Sequence, residues 1–140
     1  MDERPDCGLL IKQIHDELRK NGNNALRLQG ITLVQLDTLV VLAQAPEGQR
    51  SLKELEQILH VAQSTAAGII SRLELKGLAE GFGDAEDRRV KRVRITPAGA
   101  ACVQGALHHR AKAEEQLLAG LTETERDILY TLLKKVRDSL

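Results

Sequence analysis

Between Arg88 and Arg94 the chain sets five positive charges, Arg88, Arg89, Lys91, Arg92 and Arg94, into seven residues with no acid among them. Guanidinium and ammonium groups at that density suit a polyanion, and the regularly spaced phosphates of nucleic acid are the obvious case. A charge run is often only a solvated face. Here Val93 and Ile95 alternate with Arg92 and Arg94, so one side of an extended segment is apolar and the other basic. The acids Asp84 and Glu86 just upstream limit the net charge of the region.

A second chemistry-bearing group lies some twenty residues earlier. From Gln63 to Lys76, Ala66, Ile69, Ile70 and Leu73 fall on one face of a helix. The opposite face carries Gln63, Ser64, Ala67, Gly68, Ser71 and Arg72. In a major groove Gln63 can pair with adenine, Ser64 can reach a base or phosphate, and Ala67 can touch a thymine methyl. Thr65 either contacts DNA or bonds within the first turn. Gly68 permits close approach without reading a base. Arg72 either joins the interface or holds the neighbouring hairpin through a salt bridge. The helix starts at Ser51 and Gln63 can add amide contacts to phosphates.

These groups need positioning, and the surrounding signals describe how. Ser51-Leu52-Lys53-Glu54 is a capping box that opens a short helix with Leu52, Leu55, Ile58 and Leu59 inward. His60-Val61 makes the turn into the helix from Gln63, and Gly77 sits where a left-handed C-terminal residue belongs. Leu78–Phe82 and Val90–Ile95 read as two strands joined by the turn residues 83–87. Helix, turn, helix and basic hairpin together form a unit that puts its second helix in a DNA major groove and its hairpin against the backbone or minor groove.

Helices flank this unit on both sides. Ile11, Ile14, Leu18, Ala25 and Leu28 have helical spacing, although Asn21-Gly22-Asn23-Asn24 interrupts them and Gly costs about 1 kcal/mol in a helix interior. The run predicts either a kink or tertiary contacts that hold the helix. Thr32 caps a second helix with Leu36, Leu39, Val40, Leu42 and Ala43 as its apolar face. Thr96-Pro97 opens a long helix carrying Val103, Leu107, Ala111, Glu114 and Leu118 on one side. A last capping box at Thr122–Glu125 opens a helix with Leu129, Leu132, Leu133, Val136 and Leu140 inward. A helix of roughly 22 residues is about 33 Å long, more than the roughly 30 Å diameter of a compact chain of this size. Apolar terminal helices of that length call for a second copy, and a two-fold dimer is the economical arrangement.

The expected fold is therefore mainly α with a small β-hairpin wing, a single domain over 1–140. Residues 32–96 form a winged helix-turn-helix lobe, and 7–30 and 97–140 form dimerisation helices. Composition narrows the function. Phe82 and Tyr130 are the only aromatic rings, too few for a protein that stacks single-stranded bases. Whole-chain charge is zero, so the argument for nucleic acid rests on distribution. Nothing supplies a nucleophile–base pair, a phosphate-binding glycine loop or a paired ligand set, so no catalysis and no cofactor are expected. His108 and His109 are adjacent and point about 100° apart on a helix, which argues against metal. Cys7 and Cys102 are far apart with no CxxC spacing, and no signal peptide or membrane-length apolar run is visible; a reduced cytoplasm and no membrane partner are expected. The alternative reading is a winged-helix module that binds protein rather than DNA; the basic wing favours DNA.

The chain also resembles the MarR (multiple antibiotic resistance regulator) family of bacterial transcription factors. The resemblance runs through Leu33-Val34-Gln35-Leu36, Ser51-Leu52-Lys53-Glu54-Leu55, Ala62-Gln63-Ser64-Thr65, Arg72-Leu73-Glu74-Leu75-Lys76-Gly77-Leu78, Asp84-Ala85-Glu86-Asp87-Arg88-Arg89 and Ile95-Thr96-Pro97-Ala98-Gly99, in order and at the family's spacing. It implies a homodimer of winged lobes on pseudopalindromic double-stranded DNA, usually a repressor released by a small-molecule effector or by thiol oxidation. Asp87 and Arg89 match the family's Asp-x-Arg. The implied role is that Asp87 orients Arg89 into the minor groove, where an arginine senses groove width and potential. Cys7 lies near the position of the reactive cysteine in thiol-sensing members, but the tyrosines those members use have no counterpart nearby. An effector crevice between dimer helices and reading lobe is the family's usual site, with His15 or Arg27 as lining candidates.

Overall fold

Hydrogen bonds at the helix starts reproduce the expected caps. The computed structural model describes residues 6–140. Helix α1 (Cys7–Leu28) begins on Asp6, whose Oδ1 accepts the Leu9 N–H at 2.7 Å. Helix α2 (Leu33–Gln44) begins on Thr32, which exchanges side-chain and backbone bonds with Gln35. A 3-10 turn (Pro46–Gly48) leads into β1 (Gln49–Ser51). Helix α3 (Leu52–Leu59) starts from the Ser51–Glu54 capping box and ends on His60 in the left-handed region. Helix α4 (Gln63–Leu75) is followed by Gly77 at φ 71°, then by β2 (Ala79–Gly83) and β3 (Lys91–Ile95). Helix α5 (Pro97–Leu117) and α6 (Glu123–Asp138) complete the chain.

The wing is a three-stranded antiparallel sheet in the order β1-β3-β2, not the expected two-stranded hairpin. Val93 at its centre faces Arg50 on one side and Gly81 on the other, and it is fully buried. The extra strand, Gln49-Arg50-Ser51, has no apolar alternation. It exists because β3 presents a second edge to it.

Leu39, Leu42, Leu55, Ile70, Leu73 and Val93 are each less than 2% exposed and form the centre of one core. Burying a side chain of this size stabilises by about 1.5–3 kcal/mol. All four α4 residues expected to face inward, Ala66, Ile69, Ile70 and Leu73, are buried. Other positions differ. Leu28 is 91% exposed, and Leu26, two residues earlier, is in the core instead. Ala43 is exposed, and the polar Gln35 and Thr38 are buried on α2 instead. Thr38 satisfies its hydroxyl locally, donating to the Val34 carbonyl at 2.7 Å. The polar run 21–24 does not break α1.

The chain divides into two compact units, one ending at Leu107 and the other spanning His108–Leu140. The first unit is larger than the expected lobe 32–96, because Leu26 of α1 and Val103 of α5 belong to its core. Gly99 lies so close to the Leu78 carbonyl that a Cβ would collide with it. In the second unit no α6 residue is buried. Leu132, Leu133 and Val136, expected to point inward, are about half exposed within the single chain.

Candidate nucleic-acid interface

Helix α4 turns its apolar stripe to the core and leaves Gln63, Ser64, Thr65, Ser71 and Arg72 exposed, with Ala67 and Gly68 half-buried between them. Its N-cap is Ala62, which supplies no side-chain acceptor. The first-turn amides are therefore free for an outside partner, and the helix dipole favours an anionic one. The Arg72 guanidinium lies back along the helix, with Nη1 3.7 Å from where a Cβ on Gly68 would stand. Among the described residues Arg72 makes no salt bridge, to the wing or elsewhere. Of its two sequence alternatives, the geometry keeps it on the open face of α4.

Ser51 sits in the capping box that the sequence predicts. It is 8% exposed, its Oγ accepts the Glu54 N–H at 3.1 Å, and its own N–H goes to Glu54 Oε1 at 3.1 Å. Its N–H and its Oγ both take part in the cap, and the hydroxyl keeps its own O–H as a donor. The Ser51 N–H holds the Glu54 carboxyl below its ordinary range, with Arg50 at 3.0 Å adding to the effect.

The loop between β2 and β3 is organised around two aspartates. Asp84 Oδ2 accepts the N–H groups of Glu86 and Asp87, each at 3.1 Å. The Asp84 N–H in turn donates to Val90 O at 2.9 Å. Asp87 then takes Arg89: Oδ1 accepts both its backbone N–H and Nε at 3.1 Å, and Oδ2 accepts Nη2 at 3.3 Å. These Arg89 bonds draw the Asp87 carboxyl below its usual value. The Arg89 side chain is nonetheless 91% exposed. A fork-shaped, charge-assisted pair of this kind fixes a guanidinium's direction while leaving it accessible.

The basic run itself divides. Arg94 Nη2 meets Glu80 at 2.7 Å, and its guanidinium sits 4.6 Å from the centroid of the Phe82 ring. Arg92 donates to Gln49 Oε1 at 3.0 Å and lies 3.9 Å from Asp84. Both are occupied in holding the sheet together. Arg88, Arg89 and Lys91 are exposed and, among the described residues, make no side-chain hydrogen bond to the sheet; Arg94 is exposed too but paired with Glu80. The Arg94–Glu80 pairing follows from the hairpin register, which sets these residues opposite one another. The Gln49 partner had no sequence signal, since the strand that carries it had none.

The remaining candidates are scattered. Cys7 is exposed at the first position of α1, and burial pushes the half-buried Cys102 thiol above its ordinary value. His15, His108 and His109 are exposed. Among the described residues no group of three His, Cys, Asp or Glu side chains could hold a metal ion, and no single helix is long and apolar enough to cross a membrane. A crevice of about 320 Å³ lies where α1 meets α2, lined by Asn23, Leu26, Arg27, Gly30, Ile31, Thr32 and Leu33. Arg27 lines it and His15 does not.

A helix-turn-helix with an open reading face, a three-stranded wing and an oriented arginine at the wing tip define a winged helix-turn-helix protein. Comparison with known proteins gives the family. Residues 29–90 match the family model described as MarR family. The Multiple antibiotic resistance protein MarR of Salmonella typhimurium is 31% identical over 92% of this chain and 89% of its own length. The HTH-type transcriptional regulator YwaE of Bacillus subtilis is 32% identical over 66% of this chain, a match that spans just 54% of that relative. The apo crystal structure of E. coli MarR has a TM-score of 0.78 and 27% identity, covering 96% of this chain and 98% of that one. This chain belongs to the MarR family.

Proposed function

We propose that this protein is a sequence-specific double-stranded-DNA-binding transcriptional regulator, a homodimeric repressor that a small-molecule effector releases. The observation that carries the reading is the wing tip, where Asp87 grips Arg89 through three bonds yet leaves it 91% exposed. A guanidinium held out in this way suits a narrow, electronegative minor groove. Gln63, Ser64, Thr65, Ala67, Ser71 and Arg72 on α4 then face the major groove, and Arg88 and Lys91 meet phosphates. The relatives, among them an HTH-type transcriptional regulator of Bacillus subtilis, agree with this reading.

Uncovered apolar faces support the dimer. Leu9, Leu10, Ile11 and Ile14 on α1 are 44–47% exposed, and Ile128, Leu132, Leu133 and Val136 on α6 are 47–54% exposed. Faces of this kind mark association surfaces. The crevice at the α1–α2 junction offers one cation, Arg27, beside Leu26, Ile31 and Leu33. It suits a small apolar molecule with an anionic group, which supports reversible binding rather than oxidation of Cys7 as the release signal. Such a regulator works in the cytoplasm, where its DNA is.

The test is selection of genomic fragments by the purified protein, followed by footprinting. Two half-sites about 10 base pairs apart, centre to centre, are expected. Protection of one isolated half-site would remove the dimer from the mechanism. Failure to hold any duplex, random sequence included, would favour a protein-binding winged helix instead.

A further inference from the structure

The C-terminal end of α4 is held by a side chain that the DNA-binding reading leaves without a role. Lys76, the C-cap of α4, sends its ammonium across to the α1–α2 junction. There Nζ donates to the Gly30 carbonyl and to Gln35 Oε1, the latter at 2.7 Å. The two acceptors lie 46 and 41 residues away in sequence, so this is a tertiary tie and not a local cap.

Each acceptor is itself fixed. Gly30 sits at φ 70°, and its N–H closes on the Arg27 carbonyl at 3.0 Å. Gln35 is 4% exposed, and its Oε1 also takes the Thr32 N–H at 3.2 Å. One amide oxygen therefore joins the N-cap of α2 to the end of the reading helix. Gly30 and Thr32 also line the crevice at the junction. On the other side Cys102 of α5 feels the same ammonium: the Lys76 charge opposes the upward push of burial on that thiol. A second tether runs beside it, where Thr96 Oγ1 donates to the Gly77 carbonyl at 2.6 Å.

We propose that Lys76 is a positioning residue that locks the reading helix α4 to the α1–α2 junction, so that displacement of residues 30–35 re-aims α4. The consequence for DNA rests on the regulator reading given above. The lock is separable from the fold for a physical reason. Lys76 and Gly30 are exposed, so water can replace the lost bond on the Gly30 carbonyl. Gln35 Oε1 keeps its Thr32 donor. Losing the ammonium therefore strands no buried group, which is the usual source of a large stability penalty. Two of the three ammonium donors of Lys76 are already taken by Gly30 and Gln35.

The test uses Lys76→Met, which keeps the stem, and Lys76→Arg, which keeps a charged donor. Hydrogen exchange on the full-length protein without DNA should show residues 28–35 about tenfold less protected in Lys76→Met, with α3 unchanged and Lys76→Arg close to the parent. With the selected operator duplex, Lys76→Met should bind about tenfold more weakly while the salt slope stays at the parent value. A phosphate-contacting lysine would instead lower that slope by about one unit on operator and random duplex alike. That lower slope would overturn the proposal, as would unchanged protection at residues 28–35. If the parent protein bound no duplex, the regulator reading would fall, and the exchange arm alone would decide whether the lock exists. Circular dichroism of both variants confirms that folded protein is being compared.

Discussion

The lobe and the α6 helix obey the same local rules and end in opposite states. Both α3 and α6 open with a reciprocal capping box, Ser51–Glu54 and Thr122–Glu125. Both carry an apolar stripe at helical spacing. Yet Leu55 on α3 is fully buried, while α6 has no buried residue. The capping box starts a helix, and the stripe says that it has a face to hide. Neither says whether the cover comes from the same chain. The contrast separates a region whose apolar stripe is covered within the chain from one whose stripe is not.

The sharpest way to break that comparison is a pair of leucine substitutions. Leu39→Ala, at a fully buried site, should lower unfolding stability by about 2–5 kcal/mol at every protein concentration. Leu133→Glu, at a site 47% exposed in the single chain, should leave the lobe folded and raise the dimer dissociation constant at least tenfold, because burying one leucine is worth about 1.5–3 kcal/mol. Denaturant melts and sedimentation read the two effects separately. A Leu133→Glu protein that sedimented as the parent dimer would mean that α6 is not the covering surface.

A smaller effect belongs to the wing, whose tip is as exposed as α6 but polar. Arg89→Ala should cost about 1–3 kcal/mol in operator binding with no change in melting temperature. Asp87→Ala should resemble it in milder form, since it frees the guanidinium without deleting it. Lys91→Ala should weaken all duplexes alike and lower the salt slope by about one unit. Equal operator affinity for Arg89→Ala and the parent would take the wing out of the interface.

Acid should produce the smallest effect, and it sharpens the same contrast. Glu54 and Glu125 are both held below their ordinary value of 4.5, chiefly by the N–H groups of Ser51 and Thr122. A carboxyl with a lowered folded value contributes its stability in full above the unfolded value. That contribution is lost as pH falls below about 4.5 and through the depressed folded value. Helix α6, with no buried residue, should lose helical signal before the packed lobe does. Glu125→Gln keeps the acceptor oxygen and should flatten the pH dependence of α6 in circular dichroism or exchange. An unaltered acid profile in that variant would show that the cap is not what titrates.

Much of the molecule was legible from short-range signals. The caps at Thr32, Ser51 and Thr122, the left-handed Gly77 and the two hairpin strands fell within a residue or so of their expected places. So did the inward and outward faces of α4. These depend on residues three or four apart, which meet whatever the rest of the chain does. The tertiary structure alone decided the rest. It buried Leu26 rather than Leu28, which lies on nearly the opposite side of the helix, because packing sets which side of α1 meets the core. It made a strand of Gln49-Arg50-Ser51 by offering it an edge of β3, and so gave Arg92 its partner. It also joined Lys76 to Gly30 and Gln35 across more than forty residues. Periodicity and capping are local and can be read along the chain; which of several adequate faces is buried, and which charges find each other, is settled by contacts between segments remote in sequence.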